Sequence, residues 1–222
     1  MAIRLEKGQK INLEKDSGAK LTQFCVGCNW GAIERYVECK KFGFIPSQKK
    51  EIVDVDLDLS CIMVDAQGDI CDYIYSPAYV MPEGIPHGKL NSVDHAFHHS
   101  GDDRQGDVGG DDGLDNEIIT VDLTRVSPEI HQVFFFLNIF KSGDFSQVPY
   151  ASIRMYEGTP ERVNSVFASY NVAAQPNYVG KTALIMAKLY RYQGNWKFAA
   201  IGDAYNDNVL QSIARILRDY AK

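Results

Sequence analysis

The chain has 222 residues, of which 45% are apolar, and a formal net charge of −6. This length and composition suit a large β-rich domain with a proper core, so we expect a single domain over residues 1–222. No unbroken apolar run exceeds five residues, as in 133–137, so we expect neither a membrane span nor an export signal. Five cysteines in a chain of this size suit a reducing compartment better than a disulfide framework, which predicts a cytoplasmic protein.

Short apolar or alternating runs, rich in aromatic and β-branched residues, predict strands along most of the chain. In order they cover residues 21–30, 53–64, 70–75, 93–99, 118–123, 131–140, 151–156, 182–192 and 196–201. Apolar residues at three- and four-residue spacing near the end predict a helix over about 207–221, capped by Asn206 or Asp207. Because helices do not alternate with the strands, the sequence predicts an all-β fold, a two-sheet β-sandwich with a short C-terminal helix.

Residues 53–60 alternate strictly between apolar and polar side chains. In a strand, the apolar residues face the core while Asp54, Asp56 and Asp58 line the opposite face, about 6.5 to 7 Å apart. Carboxylates at that spacing raise one another's pKa unless a cation lies between them. The run therefore indicates either a cation site or, as the simpler alternative, a solvated strand face.

Residues 101–117 contain seven acidic residues against Arg104, so this segment carries −6 and the rest of the chain is neutral. The segment also has five glycines, and carboxylates together with turning backbone supply the oxygen ligands that calcium prefers. The alternative is a disordered acidic linker. The spacing matches neither an EF-hand nor a β-roll repeat. Without a basic stripe of similar density, the chain is not expected to bind duplex nucleic acid.

Two other possible metal or redox sites are weaker. Cys25 and Cys28 have the spacing of a metal or redox pair, but in a strand they face opposite sides, which favours buried structural cysteines. His95, His98 and His99 are possible zinc or copper ligands, and His95 and His99 would share a strand face. Because their neighbours are carboxylates, a structural role or a hydrogen bond to the acidic segment is favoured.

No nucleophile elbow, phosphate-binding loop or dinucleotide fingerprint is found, so the chain is not expected to be an enzyme. The aromatic run Phe134-Phe135-Phe136 is interpreted as a strand buried on both faces rather than as a ligand site.

Segments 55–60, 99–103 and 109–117 resemble the tellurium-resistance TerD family, and the acidic segment is most similar to its TerZ-type members. Further similar segments are 26–30, 189–191 and 196–202, in the order of the family, so the resemblance covers almost the whole chain. The usual Trp-Asp of the family is Trp30-Gly31 here, which removes one candidate carboxylate.

The resemblance implies a Ca²⁺-binding β-sandwich among cytoplasmic bacterial stress proteins. It also implies other Ter proteins as partners, a membrane-embedded one included, and a peripheral position at the inner membrane. Carried over by position, the candidate metal ligands are Asp56, Asp58, Asp102, Asp103, Asp115 and Glu117. Asp111 and Asp112, which lie in a stretch longer than the simpler TerD pattern, are added as candidate metal ligands.

Three functions remain open from the sequence. The first is a calcium-dependent binding module whose cation orders the acidic segment. The second is a metal-dependent phosphoester hydrolase. The third, a calcium-bridged peripheral membrane binder, ranks last because no basic or apolar membrane patch is evident in the sequence.

Overall fold

A computed structural model describes residues 3–4, 6–14, 18–53, 55–140, 143–171 and 178–221. Within these residues the chain forms a series of strands followed by one C-terminal helix. The elements are β1 (Ile3–Arg4), β2 (Lys10–Asn12), β3 (Gln23–Trp30), β4 (Ile33–Lys41), β5 (Ile45–Val53), β6 (Leu57–Val64), β7 (Ile70–Ile74), β8 (Phe97–His99), β9 (Glu117–Asp122), β10 (Gln132–Ile139), β11 (Ala151–Thr159), β12 (Arg162–Asn171), β13 (Ala183–Tyr192), β14 (Asn195–Tyr205) and α1 (Val209–Asp219).

Twelve of these strands form two six-stranded sheets. The first sheet has the order β1-β12-β11-β3-β9-β8, and the second has the order β2-β14-β13-β10-β6-β7. All pairings in them are antiparallel except that of β1 with β12. Apolar side chains of β3, β9 and β11 meet those of β6, β10 and β13 in one core. The predicted β-sandwich is therefore confirmed.

Strand β10 is buried on both faces, as predicted for the phenylalanine run. Phe135 packs in the core between the sheets, whereas Phe134 and Phe136 pack in a second cluster with Val209 and Ile216 of α1. The helix thus covers the outer face of the second sheet.

Helix α1 confirms the predicted C-terminal helix but begins at a different cap. The cap is Asn208, whose side chain accepts a hydrogen bond from the Gln211 amide while the Gln211 side chain accepts one from the Asn208 amide. The prediction of Asn206 or Asp207 was therefore wrong. The Asp207 carboxylate instead accepts hydrogen bonds from Arg215 in the helix.

Two strand predictions need correction. Residues 53–64 are not one strand, because β5 ends at Val53 and β6 begins at Leu57; Asp54 lies outside the described residues. Residues 93–99 form a strand only from Phe97 to His99. His95 lies in the preceding turn with φ of 55°, so the expected face shared by His95 and His99 does not exist.

The interpretation of the paired cysteines is confirmed. Cys25 and Cys28 both lie in β3 and are buried. Cys28 packs in the core between the sheets, whereas Cys25 packs in a separate cluster with Ile118 and Tyr156 on the other face. Burial raises the pKa of both thiols, which opposes formation of the thiolates that metal or redox chemistry requires.

Strands β4 and β5 form a hairpin that the sequence analysis did not identify, which we call the arm (residues 33–53). They pair with each other and with no other strand of the described residues, and none of their residues is buried. The tip of the arm is both basic and aromatic. The statement that the sequence has no basic or apolar membrane patch was therefore wrong, because Lys40, Lys41, Phe42 and Phe44 are neighbours in the chain and both rings are exposed.

Candidate metal centre

The acidic segment, residues 101–116, connects β8 to β9 and lies along the end of β3. The Asp107 amide donates to the Trp30 carbonyl at 2.9 Å, and the Ala32 amide donates to the Asp107 carbonyl at 2.9 Å. The Asn116 amide donates to the Cys28 carbonyl, also at 2.9 Å. These backbone bonds fix both the middle and the end of the segment to the first sheet.

Trp30 brings this segment next to the turn before β6. Its indole N–H donates to the Val55 carbonyl at 2.8 Å. Gly106 lies against the indole so closely that an added Cβ would be 2.5 Å from the ring, and its φ is 70°. Two acidic segments that are about fifty residues apart in the chain are therefore neighbours in the fold.

The first carboxylate group consists of Asp56, Asp58 and Asp102, whose candidate ligand oxygens all lie within 4.8 Å of one another. Asp56 and Asp58 are buried at the second sheet, and Asp102 extends from the acidic segment. The Arg104 guanidinium contacts Asp102 at 2.9 Å from the exposed side. The structure thus brings together three of the predicted ligands from both segments.

Burial and neighbouring carboxylates disfavour the charged form of Asp58. Desolvation is the larger cause, and together with Glu117, Asp56 and Asp102 it raises the pKa of Asp58 to about 8. The Tyr79 hydroxyl donates to Asp58 at 2.7 Å and partly opposes this rise. Asp58 therefore ionises near neutral pH only with a positive charge nearby.

The second carboxylate group consists of Asp107, Asp111 and Asp112, again with candidate oxygens within 4.8 Å of one another. It lies nearer the surface than the first group. Asn29 donates to Asp111 at 2.9 Å, and Tyr150 donates to Asp107 at 2.9 Å. Asp107 is one of the seven acidic residues of the segment and was not predicted as a ligand. Only the fold shows that it meets Asp111 and Asp112.

Asp103 is a link within the acidic segment rather than a member of either group. One of its oxygens accepts from the Gln105 and Gly106 amides at 3.0 and 3.3 Å. The other accepts from the Asn116 side chain at 3.1 Å, and that same amide nitrogen donates to Asp107 at 3.1 Å. Asp103 therefore shapes the turn that carries Asp102 and Asp107.

Glu117 holds the two sheets together beside the first carboxylate group. Its carboxylate accepts from the Leu59 amide at 2.6 Å and from the Asp103 amide at 3.2 Å. His99 contacts both the Leu59 carbonyl and Glu117, at 3.0 and 3.4 Å. Because the Gly101 amide donates to His99 Nδ1, the proton of the neutral ring lies on Nε2. Glu117 is thus placed in a structural network, and His99 bonds to the acidic segment as expected.

Asp115 lies outside both groups and pairs with Arg154 of β11. The Arg154 guanidinium is 2.9 Å from both carboxylate oxygens and donates to the Gly113 carbonyl at 2.7 Å. Burial raises the pKa of Asp115 to about 6 even though Arg154 opposes the rise. Asp115 packs directly on Gly27, where an added Cβ would lie 2.0 Å from its oxygen. The glycine is required at that position because a side chain there displaces the ion pair.

Packing also explains why position 31, where the TerD pattern has aspartate, is a glycine in this chain. An added Cβ would lie 2.5 Å from the Tyr150 ring. Tyr150 in turn donates to Asp107. A side chain at position 31 would therefore overlap the tyrosine that bonds to the second carboxylate group.

The donor set fits a hard divalent cation. Both groups consist of carboxylate oxygens, and calcium takes six to eight oxygen ligands from carboxylates, amides, backbone carbonyls and water. Asn29, beside the second group, adds a buried amide oxygen with no hydrogen-bond partner among the described residues. The nearby cysteines lie inside the sheets, so the accessible chemistry at the segment is that of oxygen ligands.

The chain was compared with known proteins. A family model described as the TerD domain matches residues 1–217. A stress response protein of Bacillus subtilis (strain 168), named SCP2, is 32% identical over 96% of this chain and 98% of its own length. The tellurium resistance protein TerZ of Serratia marcescens is 30% identical over 91% of this chain and 90% of its own length.

A solved structure has the same fold. It is a homologue of the telluride resistance protein TerD from Streptomyces coelicolor A3(2), with a TM-score of 0.56 at 17% identity. The alignment covers 90% of this chain and 98% of that one. Among the described residues, no helix is long and apolar enough to cross a membrane.

Proposed function

The chain belongs to the TerD family of tellurium-resistance and stress-response proteins, and from this we propose that it is a calcium-dependent binding module. The observation that carries the proposal is the convergence of Asp56, Asp58 and Asp102 within 4.8 Å. Two of these carboxylates are buried, and buried like charges are stabilised either by protonation or by a compensating cation.

Calcium is favoured over magnesium by the way the ligands are supplied. Two carboxylates come from the start of a buried strand and one from a glycine-rich segment, so the cage is irregular. Calcium accepts variable ligand numbers at about 2.3 to 2.6 Å, whereas magnesium demands a near-ideal octahedron at about 2.0 to 2.1 Å. We assign Asp56, Asp58 and Asp102 to the first ion and Asp107, Asp111 and Asp112 to a second, with Asp103 and Asn116 positioning both.

The cation orders the acidic segment and so controls the surface that a partner meets. Fixing five glycines costs backbone entropy, and the like-charged carboxylates repel one another, so both terms oppose a single conformation. A bound cation opposes that repulsion, and the gain favours the ordered conformation. The partners are other Ter proteins, a membrane-embedded one included, in the cytoplasm or at the inner membrane.

We assign binding to this site rather than catalysis. Several of its carboxylates accept hydrogen bonds from backbone amides of the same segment, as in Asp111 with Gly113 and Asp112 with Leu114. Those bonds suit a structural loop. A turnover screen with generic phosphoesters and calcium, magnesium or manganese checks the assignment, since metal-dependent hydrolysis lost in an Asp56→Asn variant would favour the hydrolase.

Thermal melting of the chelated protein, followed by addition of calcium or magnesium, tests the proposal. Calcium at a hundredfold over its dissociation constant should stabilise the fold by roughly 2.7 kcal/mol, and magnesium at the same concentration by clearly less. Hydrogen exchange should show the amides of residues 101–116 protected by calcium. An equal response to both ions, or no response, contradicts the proposal.

A further inference from the structure

Two of the five basic residues of the arm lie at its tip. Residues 39–50 contain four lysines and no acidic residue, in a chain whose net charge is −6. Two of the arm's acidic residues lie near its base, where Glu34 pairs with Lys50 and Glu51 pairs with Arg35, and the third, the exposed Glu38, lies opposite Gln48. Lys40 and Lys41 therefore give the tip its positive charge, whereas Lys49 lies opposite Val37, midway along the arm.

The same tip exposes aromatic side chains. Phe42 and Phe44 lie in the turn between β4 and β5, and 77% and 76% of their surfaces are exposed. Ile45, which pairs with Lys41 in the register, is 46% exposed. Phe42 has φ of 53°, a conformation that a non-glycine residue rarely adopts. The turn thus presents two phenylalanine rings to solvent at a cost in backbone energy.

The arm places this tip far from the core. Nine residues of each strand are paired, and at about 3.3 Å per residue the arm is about 30 Å long. Its base is held by backbone hydrogen bonds from Gly31 to Tyr150 and from Ala32 to Asp107, and by one from the Gly109 amide to the Glu34 carboxylate at 3.1 Å. A projecting hairpin with a fixed base can reach a flat surface that the rest of an acidic molecule would avoid.

From this arrangement we infer that the arm is a docking element for an anionic lipid bilayer. Phenylalanine rings enter the boundary between headgroups and acyl chains, while lysines keep their charges among the headgroup phosphates and extend apolar stems beside the rings. Each basic residue near an anionic leaflet adds to the attraction. The tip supplies both the rings and the lysines, and Lys40 and Lys41 oppose the repulsion between the leaflet and the acidic body.

A second copy of the chain is the less suitable occupant. Lysines along a strand edge oppose edge-to-edge pairing of two identical hairpins, and two positive tips repel each other. The inference goes beyond the proposed function because it uses neither carboxylate group. Binding at the tip needs no cation, whereas a calcium bridge between the acidic segment and lipid does.

Flotation with vesicles tests the inference. The full chain is mixed, in chelator, with vesicles of phosphatidylcholine alone or of phosphatidylcholine with phosphatidylglycerol. We expect flotation with the anionic vesicles only, weakening as salt is added. The double variant Phe42→Ser and Phe44→Ser should bind on the order of tenfold more weakly. Its matched control, Val80→Ser with Val93→Ser, removes two equally exposed apolar side chains elsewhere and should bind like the parent.

A charge reversal supplies the second comparison. Lys40→Glu at the tip should reduce flotation, whereas Lys10→Glu on the exposed edge strand β2 should reduce it much less. Because these side chains are exposed, the melting temperatures of all variants should match the parent, so loss of binding is not loss of folding.

Three results overturn the inference. Flotation unchanged by the tip variants removes the arm as the docking element. Flotation that occurs with calcium but not in chelator would show that calcium, rather than the arm, bridges the chain to the lipid. Sedimentation that shows a dimer in the parent and a monomer in the Phe42→Ser and Phe44→Ser variant makes a second copy the occupant. None of them affects the calcium response of the carboxylates, so this inference and the proposed function fail separately.

Discussion

Glu117 of the first sheet accepts a hydrogen bond of 2.6 Å from the backbone amide of Leu59 in the second sheet. Leu59 follows Asp58 in the chain, and the same carboxylate also holds the Asp103 amide, next to Asp102. One buried side chain thus fixes the neighbours of two members of the first carboxylate group. The site is organised by a contact between the sheets rather than by the acidic segment alone.

We predict that Glu117→Gln lowers the free energy of unfolding by about 1 to 3 kcal/mol, because an amide nitrogen replaces an oxygen that accepts a backbone hydrogen bond in a buried position. Denaturant unfolding of the chelated protein measures the change. Glu129→Gln at an exposed loop position is the control and should be nearly neutral. Equal stability of the two variants would show that the bond between the sheets contributes nothing.

We predict that Gly27→Ala destabilises the fold by about 1 to 3 kcal/mol, since the new Cβ overlaps the Asp115 carboxylate. Adding Asp115→Ala removes the obstacle, so the double variant should lose less stability than the sum of the single losses. A double-mutant cycle in urea measures this coupling. If the stability losses of the two single variants simply add in the double variant, the Asp115 carboxylate moves aside from the new Cβ without cost.

We predict that replacing Cys25 and Cys28 by alanine costs about 1 kcal/mol each through lost packing and leaves calcium affinity unchanged. Both thiols are buried and point to opposite faces of β3. Denaturant unfolding and calorimetric titration give the two quantities. A large loss of bound metal in this variant would restore the cysteines as ligands.

The stability of the chelated protein should depend on pH through Asp58. Its pKa is raised from 3.8 to about 8 by burial, so the folded chain holds a proton that the unfolded chain releases. The resulting stabilisation is fully present below pH 4 and is lost as the pH rises toward 8, at about 1.4 kcal/mol per unit of pKa difference. Unfolding measured from pH 5 to 8 should show a clearly larger decline in the parent than in Asp58→Asn, in which Asp115, with its pKa raised to about 6, still contributes. A decline of the same size in the variant would assign it to other groups.

Much of the sandwich was predictable because its central strands are buried on at least one face. The run around Phe134 to Phe136 has no polar position, and the alternation through Val55, Leu57 and Leu59 is retained even though the strand begins only at Leu57. In such segments the local apolar pattern is sufficient to predict a buried strand. It also predicted the helix, whose exact cap depended on Asp207 being engaged by Arg215.

The arm and the half-exposed strand β12 were not predicted, because neither carries the pattern of a buried face. Charged and polar residues dominate β4 and β5, and only their pairing makes them strands. In the site, the composition identified the acidic segment but could not divide its carboxylates by role. Asp107 meets Asp111 and Asp112, while Asp115 pairs with Arg154, and both relations depend on residues distant in the chain.

The central claim is that Asp56 and Asp58 help to bind calcium, and the calcium-dependent melting shift of the Asp56→Asn, Asp58→Asn double variant tests it most directly. Asparagine keeps the shape of each side chain and removes the charge that offsets dehydration of the ion. The control, Asp69→Asn with Glu129→Gln, removes two exposed carboxylates elsewhere. We predict that the double variant loses most of the calcium shift and that the control keeps it. A shift of full size in the double variant would contradict the account.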